Sequence, residues 1–339
     1  MPSRWNLLVL VLLLPACAPT VIPAGPAVRE AALTEAALVT ADDRILALSV
    51  WPSTAQERAV IIALHGFNDY RNAFALPAAV WSEQGITTYA FDQRGFGESD
   101  MSGLWAGTDT MAADARTAVD LVTQRHPGVP IFLLGDSMGG AVAAVSGLTQ
   151  PPPGLTGIVL VAPAVWGLDT MPWSYRASLW LVAHVAPGTQ LSGSGLDITP
   201  SDNIEMLHAL GRDPLVIKET RADALLGLVR LMDAGLSAAG ETDLPVLIVY
   251  GARDEIVPPE PVDHFAGRVD GALTTVVYPE SYHMVLRDLG RDLPADEIGR
   301  FVIDGGKHFV SDWEIEAGKI VESVDELRNA EADDESLVQ

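Results

Sequence analysis

A single cysteine, Cys17, stands in 339 residues, so no intramolecular disulfide can close, and no Cys/His group has the spacing of a zinc site. Nothing in the chain predicts a structural metal. Positive charge is scarce too: 21 Lys and Arg face 45 Asp and Glu, a formal net charge of −24. Without a basic face, nothing displaces the counterions of a phosphate backbone, which argues against nucleic acid as a partner. Solubility alone is enough to explain the acidity. Internal repeats are absent. The apolar run over residues 7–14 holds eight Leu and Val, too few to span a bilayer, which needs about 20.

That run follows Arg4 and the α-amine, the layout of a secretory signal. Its end can be read in three ways. Leu14-Pro15-Ala16-Cys17 resembles a bacterial lipobox, with Cys17 as the lipid-attachment site and Pro15 as an unusual occupant. Ala16-Cys17-Ala18 reads alternatively as an A-x-A cleavage site of a secreted or periplasmic protein, although Pro19 would follow the cut. An uncleaved anchor is the third. We take the lipobox as the expectation, because no other cysteine is present. It puts the protein in a bacterial cell envelope, anchored to the membrane through an N-terminal lipid on the periplasmic side or the surface. Residues 1–17 are then signal and lipobox, and 18–37 a tether that begins with the Pro/Ala-rich stretch 18–26. Residues 38–303 form the folded domain, and 304–339 an acidic tail expected to be disordered or loosely docked.

Within the domain, strand-like runs over 45–51, 59–64, 86–91, 129–134 and 158–161 alternate with helical patterns over 72–84, 108–126 and 140–148. The run 59–64 is almost wholly apolar, as a strand buried on both faces must be. Gly85 stops the first helix, Thr108 reads as the N-cap of the second, and that helix has ended before Pro127. Alternation at this spacing predicts an α/β protein, doubly wound, with a mostly parallel sheet covered by helices on both faces. From 163 to 244 the rhythm breaks. Two helical patterns, 175–185 and 214–234, flank a loop over 188–200 and form a lid; strands over 246–250 and 273–278 and a helix over 296–302 then complete the domain.

The densest signal is Gly135-Asp136-Ser137-Met138-Gly139, a G-x-S-x-G pentapeptide between a strand and a helix. A serine hydroxyl becomes a nucleophile only when a base takes its proton, and a tight turn at a strand's carboxyl end lifts it clear of the sheet. The flanking glycines suit such a turn because a side chain there would collide with the neighbouring strand or helix. Ser137 is the candidate nucleophile. The base should be a histidine oriented by a carboxylate, the two arriving after late strands in the order Ser, Asp or Glu, His.

His283 follows the last strand, whereas His126, His184, His208, His264 and His308 fall on helices or in the tail and read as surface or packing residues. His65, on an early strand, reads as a structural hydrogen bonder. Asp254 lies four residues past Tyr250, with Glu255, Asp233 and Asp243 as other reachable carboxylates. Two backbone N–H groups must face the developing oxyanion. Met138, after the serine, and Phe67, in the loop His65-Gly66-Phe67-Asn68-Asp69, are the candidates.

Together, His65-Gly66-Phe67, the DQRGFGES run 92–99, the GDSMGG run 135–140, the GARDEIVP run 251–258 and His283 resemble the α/β-hydrolase superfamily. The nearer likeness is to its monoacylglycerol lipase and lysophospholipase branch, the serine aminopeptidase S33-type hydrolases. It covers about residues 38–301. It implies an eight-stranded sheet, with a helical lid over 165–243 inserted after the sixth strand. The implied reaction is hydrolysis of an acyl-ester lipid with one acyl chain through an acyl-serine intermediate, with no cofactor. An acyl chain needs an apolar groove, and Trp166, Met171, Trp173, Tyr175, Trp180, Leu181 and Val182 are available to line one or to pack the lid down.

Dehalogenases and epoxide hydrolases of this fold need Asp at the position of Ser137, so the serine argues against both. An aminopeptidase remains an alternative, with Asp197, Asp202 and Glu205 in the lid to hold an α-amine. A non-catalytic envelope lipoprotein on the same fold is the other, although no member of the triad is missing.

Overall fold

A computed structural model describes residues 18–337 apart from Asp169, Ser194, Leu196 and His308, and leaves the side chains beyond Ala330 undescribed. Its centre is one sheet. Strands β1 (Ala32–Leu33), β2 (Ala37–Val39), β3 (Ile45–Trp51), β4 (Ala59–Leu64), β5 (Ile86–Phe91) and β6 (Ile131–Asp136) come from the first half of the chain. From the second come β7 (Leu155–Val161), β10 (Val246–Gly251), β11 (Leu273–Tyr278) and β12 (Glu314–Ile315). The spatial order is β1-β2-β3-β5-β4-β6-β7-β10-β11-β12. Strands β5, β4, β6, β7, β10 and β11 run parallel, while β1, β2 and β3 at one edge and β12 at the other run antiparallel. Ten strands stand where eight were expected; the two additions, β1 and β12, are two-residue edge pieces too short to show a periodicity.

Strand β4 shows why the apolar runs are unbroken. Val60, Ile62 and Leu64 enter the core on one face while Ala59, Ile61 and Ala63 enter the other. Side chains alternate across a strand, and both faces here are covered. Helices α1 (Ala75–Glu83) and α8 (Asp292–Ile303) cover one face, seating Trp81, Ile298 and Phe301. On the other lie α2 (Thr108–Arg125), α3 (Met138–Leu148), α6 (Ala222–Ser237) and α7 (Pro259–Ala266), seating Met111, Val142, Leu231 and Phe265.

The N-cap of α2 is Gly107, not Thr108, which is already the first helical residue. In the lid, α4 (Trp173–Val185) lies close to its expected place, but the stretch 214–234 is helical only within α6. The loop expected over 188–200 contains β8 (Gln190–Ser192), which pairs with β9 (Glu219–Arg221), and a further helix, α5 (Ile204–Arg212), follows it. These lid strands are three residues each, below the length at which alternation can be read.

Neither end of the domain is loose. Val21 bridges Trp105, and Ile22 N–H donates to Trp105 O at 2.8 Å. Thr20 N–H reaches Asp223 at 3.1 Å, and Ala24 N–H reaches Thr110 Oγ1 at 3.2 Å. The stretch expected as a tether therefore lies along the body, its backbone donors satisfied there. In the acidic tail, α9 (Ile320–Leu337) buries Ile320 and Val324 completely. That apolar i, i+4 pair docks the helix although the composition around it is acidic. Cys17 lies outside the described residues, and no described helix is long and apolar enough to cross a membrane.

Candidate active site

Strand order reverses around β4, which has β5 on one side and β6 on the other. Crevices at the carboxyl ends of strands near such a switch are where open α/β sheets bind ligands. Four segments meet there: the loop after β4 with Gly66 and Phe67, the turn after β6 with Ser137, the loop after β10 with Asp254, and the loop after β11 with His283.

Ser137 occupies φ 53° and ψ −113°, a backbone region that costs a non-glycine residue about 1–3 kcal/mol. The surroundings leave it no alternative. Ser137 N–H donates to Val161 O at 2.9 Å, and its carbonyl accepts from Gly140 and Ala164, each at 2.9 Å. A Cβ on Gly135 would lie 2.1 Å from Gly139 O, and one on Gly139 would lie 2.0 Å from Leu64 O. The glycines are thus required by the close approach of turn, helix and β4.

The side chains of the three segments are joined. His283 Nε2 is 2.9 Å from Ser137 Oγ, and His283 Nδ1 is 2.8 Å from Asp254 Oδ2. A carboxylate accepts hydrogen bonds, so Nδ1–H donates to Asp254 and Nε2 is left to accept from the serine. The second carboxylate oxygen accepts from Ile256 N–H at 2.7 Å and Val257 N–H at 3.0 Å, which fixes the carboxylate. Burial acts to lower the His283 pKa, but the charge and hydrogen bond of Asp254, with Asp136 beyond, outweigh burial and Arg287, and the net shift is upward. Two of the alternative carboxylates are engaged elsewhere: Asp233 accepts from Leu168 N–H and Glu255 from Thr199 N–H.

A Cβ built on Gly66 would stand 3.5 Å from Ser137 Cβ, so the backbone entering Phe67 passes beside the serine. Among the described residues, neither the Phe67 nor the Met138 N–H donates to another backbone group. His65 is buried, gives Nδ1–H to Gly66 O at 2.8 Å and accepts Gln93 N–H on Nε2 at 3.0 Å. Burial lowers its pKa. It braces the loop as a neutral ring. Arg94 of the DQRGFGES run holds Asp42 and Asp114, tying the edge strands to α2.

Above the serine opens a cavity of about 900 Å³ whose walls include Trp166, Met171, Leu179, Val182, Leu228 and Met232. Tyr175 stands at it as well, but Trp173, Trp180 and Leu181 do not. Trp173 is 78 % exposed; Trp180 is 55 % exposed and stacks on His184 at 4.2 Å. Both indoles leave the groove because α4 turns that face outward. None of Asp197, Asp202 and Glu205 lines the cavity. Besides His283, the carboxyl and guanidinium groups in its lining are those of Asp69, Asp136, Arg176 and Arg287. Arg287 pairs with Asp69 at 2.7 Å and lies 3.9 Å from Asp136, whose pKa burial raises against the pull of Arg287. Sequence reasoning missed this cluster. Its one signal was Asp136 inside the pentapeptide.

Residues 55–290 match the family model described as serine aminopeptidase, S33. The chain belongs to that family. Within it the protein is an α/β-hydrolase of the monoacylglycerol lipase-like branch, a carboxylic ester hydrolase by class. It is similar to a monoacylglycerol lipase of Mycolicibacterium smegmatis, 27 % identical over 75 % of this chain and 91 % of the relative. The human monoglyceride lipase is 24 % identical over 74 % of this chain and 84 % of its own length. Among solved structures, a soluble variant of the Saccharomyces cerevisiae monoglyceride lipase with a substrate analogue superposes with a TM-score of 0.67 at 20 % identity. It covers 85 % of this chain and all of its own.

Proposed function

We propose that the protein hydrolyses esters of lipids carrying one acyl chain, a monoacylglycerol or a lysophospholipid, through an acyl-Ser137 intermediate. The observation that carries this reading is the hydrogen-bonded series Ser137, His283, Asp254 opening directly into an apolar cavity of about 900 Å³. A site of that size suits a single chain and a small headgroup. Among the described residues, its lining offers no carboxylate from the lid to hold the α-amine a peptidase would need.

Ser137 Oγ attacks the ester carbonyl carbon as its proton passes to His283 Nε2. Asp254 stabilises the imidazolium and holds its orientation. The carbonyl oxygen becomes an oxyanion facing the Phe67 and Met138 amides, each worth about 3 kcal/mol of barrier. As the tetrahedral species collapses, the C–O bond to the alcohol breaks and the proton on Nε2 goes to the departing oxygen. Water then enters, gives its proton to His283, and attacks the acyl carbon. A second collapse returns that proton to Ser137 Oγ and frees the fatty acid.

Incubation with a fluorophosphonate should label the wild type at Ser137 and leave Ser137→Ala unlabelled. Turnover should be highest with monoacylglycerol or lysophospholipid and negligible with aminoacyl-arylamides. Equal labelling of both proteins would refute the nucleophile, and preference for the arylamide would refute the substrate class.

A further inference from the structure

The family match ends at residue 290, yet the chain returns to the catalytic face through α9. Ile320 and Val324 seat the helix, and Ile320 N–H donates to Asp263 Oδ1 of α7 at 2.7 Å. Further along the helix, Arg328 Nε–H donates to Ala252 O at 2.9 Å, and its Nη2 lies 3.3 Å from Asp254 O. Both carbonyls belong to the turn that delivers the Asp254 side chain. Neither accepts a hydrogen bond from another backbone group among the described residues. In sequence, Arg328 is the only cation of α9.

The inner side of this turn is held by its own domain. Ala252 N–H reaches Tyr278 O at 2.9 Å, Arg253 N–H reaches Ser281 O at 3.0 Å, and Tyr250 Oη–H reaches Val257 O at 2.6 Å. The outer side has the arginine. A guanidinium is suited to the task because its donors are fixed in one plane and can take two carbonyls without further ordering.

We infer that Arg328 is a positioning residue: from a helix beyond the matched family region, it clamps the 252–254 backbone and so keeps Asp254 aligned with His283. The inference rests on the Ser137 reading above. Small displacements of a catalytic group are costly, so the clamp should act on rate rather than on substrate binding.

The test is the pH dependence of the fluorophosphonate labelling rate in the full-length wild type, Arg328→Met and Arg328→Lys, each checked for its melting temperature. This readout needs no ester substrate. Asp254, Asp136, Arg287 and Asp288 are the charged groups facing His283. A looser Asp254 should slow labelling about tenfold in Arg328→Met and move the acid limb of the profile to lower pH. Arg328→Lys, which keeps a cationic donor, should recover most of both. With an ester the wild type turns over, kcat should fall and KM hold. An unmoved limb in Arg328→Met overturns the inference, whether or not the rate falls, because a merely structural role changes the active fraction alone. So does Lys faring no better than Met. Absence of labelling in the wild type would instead sink the nucleophile assignment itself, and this inference with it.

Discussion

Asp254 works against burial. Enclosure alone would push His283 toward a lower pKa, and the neighbouring carboxylate reverses the sign. The proposed mechanism requires the neutral imidazole, so activity should be lost as pH falls through the His283 pKa, and a raised pKa puts that loss above the ordinary value of about 6.5. Asp254→Asn should do two things at once. The plateau of kcat/KM should drop by about 10³–10⁴-fold, because an amide also admits the wrong tautomer. The acid limb should shift to lower pH, because burial is the larger effect and only Asp136 then opposes it. A pH–rate profile that keeps its limb in the variant would show that another group sets the charge on His283. At this scale the sequence was most readable. The meeting of Ser137, Asp254 and His283 could be read because each follows a strand whose apolar run marks its end. Asp69 and Arg287 could not, since a buried ion pair between separate loops leaves no pattern in either one.

The lid is where elements and residues diverge. Helix α4 follows its expected course, but which of its faces looks inward depends on the rotation set by packing against α6, and four aromatics spread over the segment did not reveal that rotation. Trp166 lines the cavity while Trp173 and Trp180 face out. Substituting Trp173 and Trp180 by serine should therefore leave kcat/KM for a soluble short-chain ester within about twofold, as surface changes away from a site generally do. Leu179→Trp, which adds bulk inside the cavity, should depress turnover of long acyl chains about tenfold or more relative to short ones, since overpacking costs about 1–3 kcal/mol. A chain-length series across both variants checks this; unchanged selectivity in Leu179→Trp would mean the acyl chain lies elsewhere. The small sheet of β8 and β9 and helix α5 went unread for a different reason. Three-residue strands have no period to detect, and α5 has no buried residue to mark its face.

For the whole molecule, composition left the termini open. A Pro/Ala-rich start read as a tether and an acidic end as disordered or loosely docked; two buried apolar residues dock α9, and a few hydrogen bonds from the backbone lay residues 20–24 along the body. The net charge of −24 gives the folded body no attraction to anionic headgroups. We propose that a lipid on Cys17 supplies that proximity instead. Labelled palmitate should be incorporated by the wild type in a bacterial host and not by Cys17→Ser, which should leave the membrane fraction; equal incorporation in both would refute the anchor.

The hydrogen bond from Thr20 to Asp223 shortens the leash such an anchor provides. Cys17 lies three Cα–Cα steps before Thr20, no more than about 11 Å of fully stretched chain. Asp223 sits in the first turn of α6, the helix whose Leu228 and Met232 wall the cavity. Whatever grips residue 17 would hold the cavity within reach of the same surface, allowing the enzyme to pivot but not to wander.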